Sequence, residues 1–167
     1  PAHTPGGSSS GSAAGVADFQ MPLGFGTQTG GSTIRPAAFC GVVGYKPSFG
    51  EFSRVGIKLQ CQNLDTLGLI CRSLDDIALM RAALIDMPHR PVGRSMARGA
   101  GAPRIGLCRT PLWDAADGPT QALIESTAAK LSAAGAKIGE GEFAAPFRDI
   151  HKHHRVIFNY EAAHNYA

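Results

Sequence analysis

Two clusters of serine and glycine, residues 6–12 and residues 27–32, hold the residue types that could do chemistry in this sequence. Ser8 and Ser32 lie 24 positions apart. A helix followed by a strand between them would return the chain beside its start. The two hydroxyls would then share a pocket with a row of glycine amides and almost no charge. Such a pocket suits acyl transfer: one serine attacks a carbonyl, its neighbour relays the proton, and backbone N–H groups receive the oxyanion. The same spacing also fits tight turns inside a packed core, and spacing alone leaves both readings open.

Other motifs fall short of their chemistry. GTQTGGST (residues 26–33) nearly fits a phosphate loop, but Ser32 fills the lysine slot and the contact to the terminal phosphates is lost. A dinucleotide fingerprint begun at Gly24 fails because Thr29 stands at the third glycine. GSSSG (residues 7–11) matches a nucleophile elbow around Ser9, yet Pro1 and Pro5 precede it where a buried strand is required. His151, His153 and His154 lack the cysteine or carboxylate partners of a metal shell and read as a solvated helix face, so no metal site is assigned. The arginines of residues 87–103 have no interleaved aromatics and read as a solvated loop rather than a nucleic-acid surface.

Several elements are expected to position the two clusters. A helix opens in residues 12–18, a short buried strand runs through 22–27, and a glycine turn occupies 28–32. A short helix with Pro36 in its first turn then reaches Cys40. Ser73 caps a helix with Asp75 and Asp76 in its first turn, and Leu74, Ile77, Ala78, Leu84 and Ile85 form its apolar stripe, broken by Arg81. Residues 87–103, with three prolines, three arginines and no acid, read as a surface loop. A strand at 104–108 leads to a helix begun by Pro119, with Leu123, Ile124, Ala128 and Leu131 on one face and Gly135 as its stop. A strand at 136–138 and a helix over 147–167 complete an α/β alternation.

Composition agrees with a folded core. Of 167 residues, 44% are hydrophobic and 17% charged, which is too apolar for a disordered tail. Eleven of the 21 glycines lie in residues 1–50, and residues 1–44 carry only Asp18 and Arg35 as charged side chains. A flexible linker is also glycine-rich and uncharged, but it would not carry Val16, Phe19, Leu23, Phe25, Ile34 and Phe39. The combination points to backbone packed closely inside a protein. No run is long enough to span a membrane. A net charge of +3 implies no polyanionic partner. The four cysteines form no C-x-x-C pair and read as reduced and intracellular, with a cytoplasmic location expected.

The stretch PGGSSSGSAAGVADFQMPLGFGTQTGGSTIRPAAFCGVVGYKPSFGEFSRVG, with the trailing LDTLGLICRSLDDIALM (residues 64–80), closely resembles the amidase signature family. The match covers about residues 3–85, and the later residues resemble the family only in their alternation. The resemblance implies an α/β fold, a mixed β-sheet flanked by helices, in one partial domain over 1–167. Its signature core is 1–85, its surface loop 87–103 and its α/β continuation 104–167. It implies a serine hydrolase of carboxamide C–N bonds with a Ser–cis-Ser–Lys triad and no cofactor. Ser32 falls at the nucleophile, Ser8 at the bridging serine after a cis Gly7–Ser8 bond, and the oxyanion amides at Thr29, Gly30, Gly31 and Ser32. Apart from the resemblance, Arg35 and Asp65 read either as braces of the loops or as ordinary surface pairs, without a catalytic role.

The family's lysine lies upstream of its GGSS motif. Lys46, Lys58, Lys130, Lys137 and Lys152 do not match it, so the base is expected before Pro1. The chain then reads as an internal piece of a bacterial amidase, cut at both ends and inactive by itself. Gln28, where many members carry Asp, leans towards small-amide amidases. The A subunit of glutamyl-tRNA amidotransferase and a non-catalytic amidase-like module remain alternatives. The expected partner is a small-molecule amide, with no direct nucleic-acid contact and no membrane; a homodimer is left open.

Overall fold

The computed structural model describes residues 2–89 and 101–166. They fall in two compact units, residues 2–89 with 156–166 and residues 101–155.

The first unit is built on a three-stranded antiparallel sheet of order β1-β3-β2, with β1 at Leu23–Gln28, β2 at Val43–Tyr45 and β3 at Thr66–Cys71. Leu23 pairs with Cys71 and Gln28 with Thr66 across β1 and β3. The central β3 is buried on both faces, which is why TLGLIC is a continuous apolar run with no alternation. Its odd and even side chains feed two different cores. Ile70 packs with Ala13 and Val16 of α1 (Ser10–Ala17) and Ala37 of α2 (Ile34–Phe39). Leu69 and Cys71 pack with Phe52 and with Ile77 of α3 (Leu74–Leu84). Full burial of side chains such as Leu69, Ile70 and Val16 contributes about 1.5–3 kcal/mol each.

Two glycines let the layers approach. Gly26 and Gly68 stand opposite each other in the β1–β3 ladder. A Cβ on Gly26 would lie 2.8 Å from Ser9 Oγ and 2.9 Å from Thr33 Oγ1; one on Gly68 would lie 2.9 Å from Thr33 Cγ2 and 2.7 Å from the Tyr45 carbonyl. The sheet therefore carries Ser9, from the first serine cluster, and Thr33, just past the second, directly on its backbone.

Helix α3 is capped as its sequence requires: Ser73 Oγ accepts the Asp76 N–H at 3.1 Å. Its buried side differs from the expected stripe. Ile77, Met80 and Ile85 face the second core, while Leu74 is exposed and Arg81 reaches Glu51 at 2.6 Å. The fold also has two strands, β2 and β3, that periodicity misses. A three-residue strand and an unbroken apolar run offer no alternation to read.

The second unit is a βαβ unit. β4 (Arg104–Cys108) and β5 (Lys137–Gly141) are parallel, joined by α4 (Gly118–Ala133). Asp117 caps α4 by accepting the Thr120 N–H at 2.8 Å, and Gly135 takes a positive φ of 97° just past its end. The expected apolar face of α4 is only partly covered among the described residues: Ala128 is half-buried, while Leu123 is 61% exposed. A 3₁₀ turn at Ala145–Asp149 precedes α5 (Ile150–Tyr166), whose residues 156–166 belong to the first unit. Most of the loop expected at 87–103, residues 90–100, lies outside the described residues.

The α/β class expected from the alternation is the observed one, with one antiparallel and one parallel sheet flanked by helices.

Candidate active site

Both serine clusters lie at the edge of the same sheet. The first cluster leaves Gly6 at φ +76°, passes a cis Gly7–Ser8 bond and enters α1 at Ser10. The cis bond stands where the sequence resemblance implied it. Ser12 Oγ donates to the Phe25 carbonyl at 2.7 Å, which stitches α1 to β1. The second cluster, residues 27–32, runs from the end of β1 into the turn at 29–33 that leads to α2.

The two meet through backbone. The Ser9 N–H donates to the Ser32 carbonyl at 3.1 Å. Ser8 and Ser32 thus stand on adjoining backbone, both with access to solvent. Their hydroxyls make no hydrogen bond with each other among the described residues; the hydroxyl bonds of the first cluster run instead from Ser9 to the Thr27 carbonyl and from Ser10 to the Ser8 carbonyl.

The shape of the glycine turn has identifiable causes. Gln28, only 7% exposed, turns its amide oxygen back to accept the N–H groups of Thr33 at 2.9 Å and Ile34 at 3.0 Å. These are orphan donors at the start of α2, and Gln28 supplies the cap that Thr33 does not. The Gly31 carbonyl accepts the Arg35 N–H at 2.9 Å, and the Arg35 guanidinium lies over Gly31, with Nη2 3.0 Å from the position a Cβ would take. The carbonyls of Gly31 and Ser32 are therefore both engaged. The N–H groups of Gly30, Gly31 and Ser32 donate to no acceptor among the described residues. A turn with its carbonyls tied back and successive amides unpaired is an arrangement that can receive a developing negative oxygen.

Asp65 braces the turn from the side. It is 4% exposed, and its Oδ1 accepts the Thr29 hydroxyl at 2.5 Å. Its Oδ2 accepts the N–H groups of Gln60 at 2.6 Å and Cys61 at 3.0 Å. A buried carboxylate requires such donors, and this one has three. Thr33, fully buried beneath the turn, has an Oγ1 with no hydrogen-bond partner among the described residues.

The sequence singles out Ser8, Ser32, Thr29, Gly30 and Gly31 as candidates, and the structure brings the backbone of the two clusters together. The sequence also offers Asp65 and Arg35 as loop braces. It misses the Gln28 cap, because the sequence places Gln28 within the glycine turn at 28–32 and its burial belongs to the fold. It also misses Glu161, on α5, which accepts the Cys61 thiol and the Asn63 N–H, each at 3.0 Å, and the Asn63 side-chain amide. Nothing in the local sequence of Glu161 marks that role. Burial and the neighbouring carboxylate push the Cys61 thiol up to about 11, so it stays a protonated donor, and the same donors hold the Glu161 carboxyl below its ordinary range.

A family model described as Amidase matches residues 1–167. The A subunit of glutamyl-tRNA(Gln) amidotransferase from Deinococcus radiodurans is 38% identical over 148 residues, which cover 81% of this chain and 30% of that protein. Native peptide amidase from Stenotrophomonas maltophilia superposes with a TM-score of 0.75 at 35% identity, over 96% of this chain and 35% of that one. The corresponding A subunit from Thermotoga maritima superposes with a TM-score of 0.82 at 28% identity, over 96% and 37%. The chain thus spans about a third of the length of these relatives. They include both a peptide amidase and the A subunit of an amidotransferase.

Proposed function

We propose, for a chain that belongs to the amidase family, that the protein it forms part of cleaves carboxamides through a serine acyl-enzyme. One observation carries the reading. The turn at residues 29–32 leaves the amides of Gly30, Gly31 and Ser32 unpaired among the described residues, while the Ser32 carbonyl is bonded to the segment that carries Ser8.

Ser32 Oγ attacks the amide carbonyl. A serine hydroxyl is a poor nucleophile at neutral pH and needs its proton removed as the C–O bond forms. Ser8 accepts that proton and passes its own to a lysine, which the family resemblance expects ahead of Pro1. A lysine serves as this base only where a desolvated site lowers its pKa. The tetrahedral oxyanion takes N–H bonds from the turn, with Thr29 held in place by Asp65. As the C–N bond breaks, the proton returns along the same path to the leaving nitrogen. Water then attacks the acyl-enzyme and releases the acid and free Ser32. The products are a carboxylic acid and ammonia or an amine. All four cysteines are free thiols, which supports a cytoplasmic setting.

A second reading is favoured by the amidotransferase relatives. In it the same acyl chemistry supplies ammonia within an amidotransferase built from several chains. Assay of the complete protein separates the two: hydrolysis of simple carboxamides by the isolated protein supports the first, and glutamine-dependent transfer that arises only with partner chains supports the second. Ser32→Ala and Ser8→Ala are each expected to remove turnover in either case. Full activity in Ser32→Ala would overturn both.

A further inference from the structure

Helix α5 reaches the glycine turn through the segment ahead of β3. The Glu161 carboxylate gathers three donors from that segment: the Cys61 thiol, the Asn63 N–H and the Asn63 side-chain amide. Asn165, one turn further along α5, donates to the Gln60 carbonyl at 3.1 Å. These bonds fix residues 60–63 against the helix. The amides of Gln60 and Cys61 in turn aim the Asp65 carboxylate, and its other oxygen takes the Thr29 hydroxyl.

The β1–β3 ladder cannot do this work alone. Its last pair is Gln28 with Thr66, one residue short of both Thr29 and Asp65. Beyond that pair, the side-chain bond between Thr29 and Asp65 links the two segments. A carboxylate that accepts from two backbone amides on one oxygen has its plane set by those amides. If residues 60–61 shift, the Asp65 plane shifts, and Thr29 follows.

We propose that Glu161 is a positioning residue for the turn at residues 29–32, acting through residues 60–63 and Asp65 on Thr29. For catalysis, the proposal rests on the reading of those amides as oxyanion donors. Misplacing such donors by about 1 Å is enough to cost on the order of 100-fold in rate.

The test uses backbone amide relaxation and kinetics, both measured on the complete protein. In the unaltered chain, order parameters of residues 29–32 are expected near ~0.85, the value of rigid backbone. Glu161→Gln keeps shape but removes the charge and one acceptor, and is expected to bring them towards ~0.6 while α1 is unchanged. Cys61→Ala is expected to act in the same direction, and Cys61→Ser, which keeps a donor for Glu161, to restore rigidity. The Ala/Ser pair gives the answer even if Glu161→Gln fails to fold. In the complete protein the loosened variants are expected to lose about tenfold or more in kcat with KM unchanged. Rigid residues 29–32 in both Glu161→Gln and Cys61→Ala overturn the positioning link. A loosened turn with unaltered kcat overturns the oxyanion reading and leaves the structural link standing.

Discussion

The Ser9 amide donates to the Ser32 carbonyl at 3.1 Å, and this bond joins the segment that carries Ser8 to the end of the glycine turn. Its geometry depends on how closely both segments lie on β1. Gly26 permits that approach, since a Cβ there would stand 2.8 Å from Ser9 Oγ and 2.9 Å from Thr33 Oγ1. Gly26→Ala is expected to destabilise the chain by about 1–3 kcal/mol through overpacking. Denaturant unfolding checks this, and an unchanged midpoint would show that the layers have room to separate.

Thr33→Val should act in the opposite direction. The Thr33 side chain is fully buried and its hydroxyl is unpartnered among the described residues. An unpaired buried hydroxyl carries a desolvation cost of about 1–3 kcal/mol, and valine replaces it with a methyl of similar size. The expected outcome is equal or greater stability in the same denaturant experiment. A clear loss would mean that the hydroxyl has a bonding partner.

Thr29→Val removes the donor to Asp65 while leaving the turn's own amides in place. In the complete protein it is expected to lower kcat by about 10- to 100-fold, with a small change in KM. Steady-state kinetics at saturating and limiting substrate separate the two terms. A rise in KM with kcat intact would make Thr29 a substrate-binding residue instead.

The Cys61–Glu161 contact sets a pH dependence. The Cys61 thiol is raised from 9.0 to about 11, chiefly by burial. A raised folded-state value means that the folded chain holds the proton more tightly than the unfolded one. Its contribution is full below about pH 9 and is lost as pH rises through about 11. The Glu161 carboxyl is lowered from 4.5, first by the Cys61 thiol and then by Asn63, so its contribution is present above that value and lost on acidification. Thermal midpoints from acid pH through about pH 11 are expected to fall at both ends. The alkaline fall should be weaker in Cys61→Ser, and an identical alkaline slope would contradict the assignment.

Much of this is legible in the sequence because local rules are obeyed. Ser73 caps its helix, Pro36 and Pro119 sit in first turns, and Gly135 ends α4. The serine-glycine clusters stand out because catalysis by backbone amides needs glycine where a ligand must come close. What stays hidden is long-range. β3 is buried on both faces, so its apolar run has no period. The partnership of Glu161 with Cys61 and Asn63 spans about a hundred positions, and no spacing rule reaches that far. In the sequence Gln28 reads as a mark of substrate class, whereas its side chain caps α2, a role that emerges only once the turn folds back on it.

The central claim is that Ser32 carries the acyl group. Peptide mapping of the complete protein after reaction with a fluorophosphonate tests it most directly. The account predicts one adduct, on the Ser32 hydroxyl, absent from Ser32→Ala and slowed in Ser8→Ala. An adduct on any other residue, or undiminished labelling of Ser32→Ala, would contradict it.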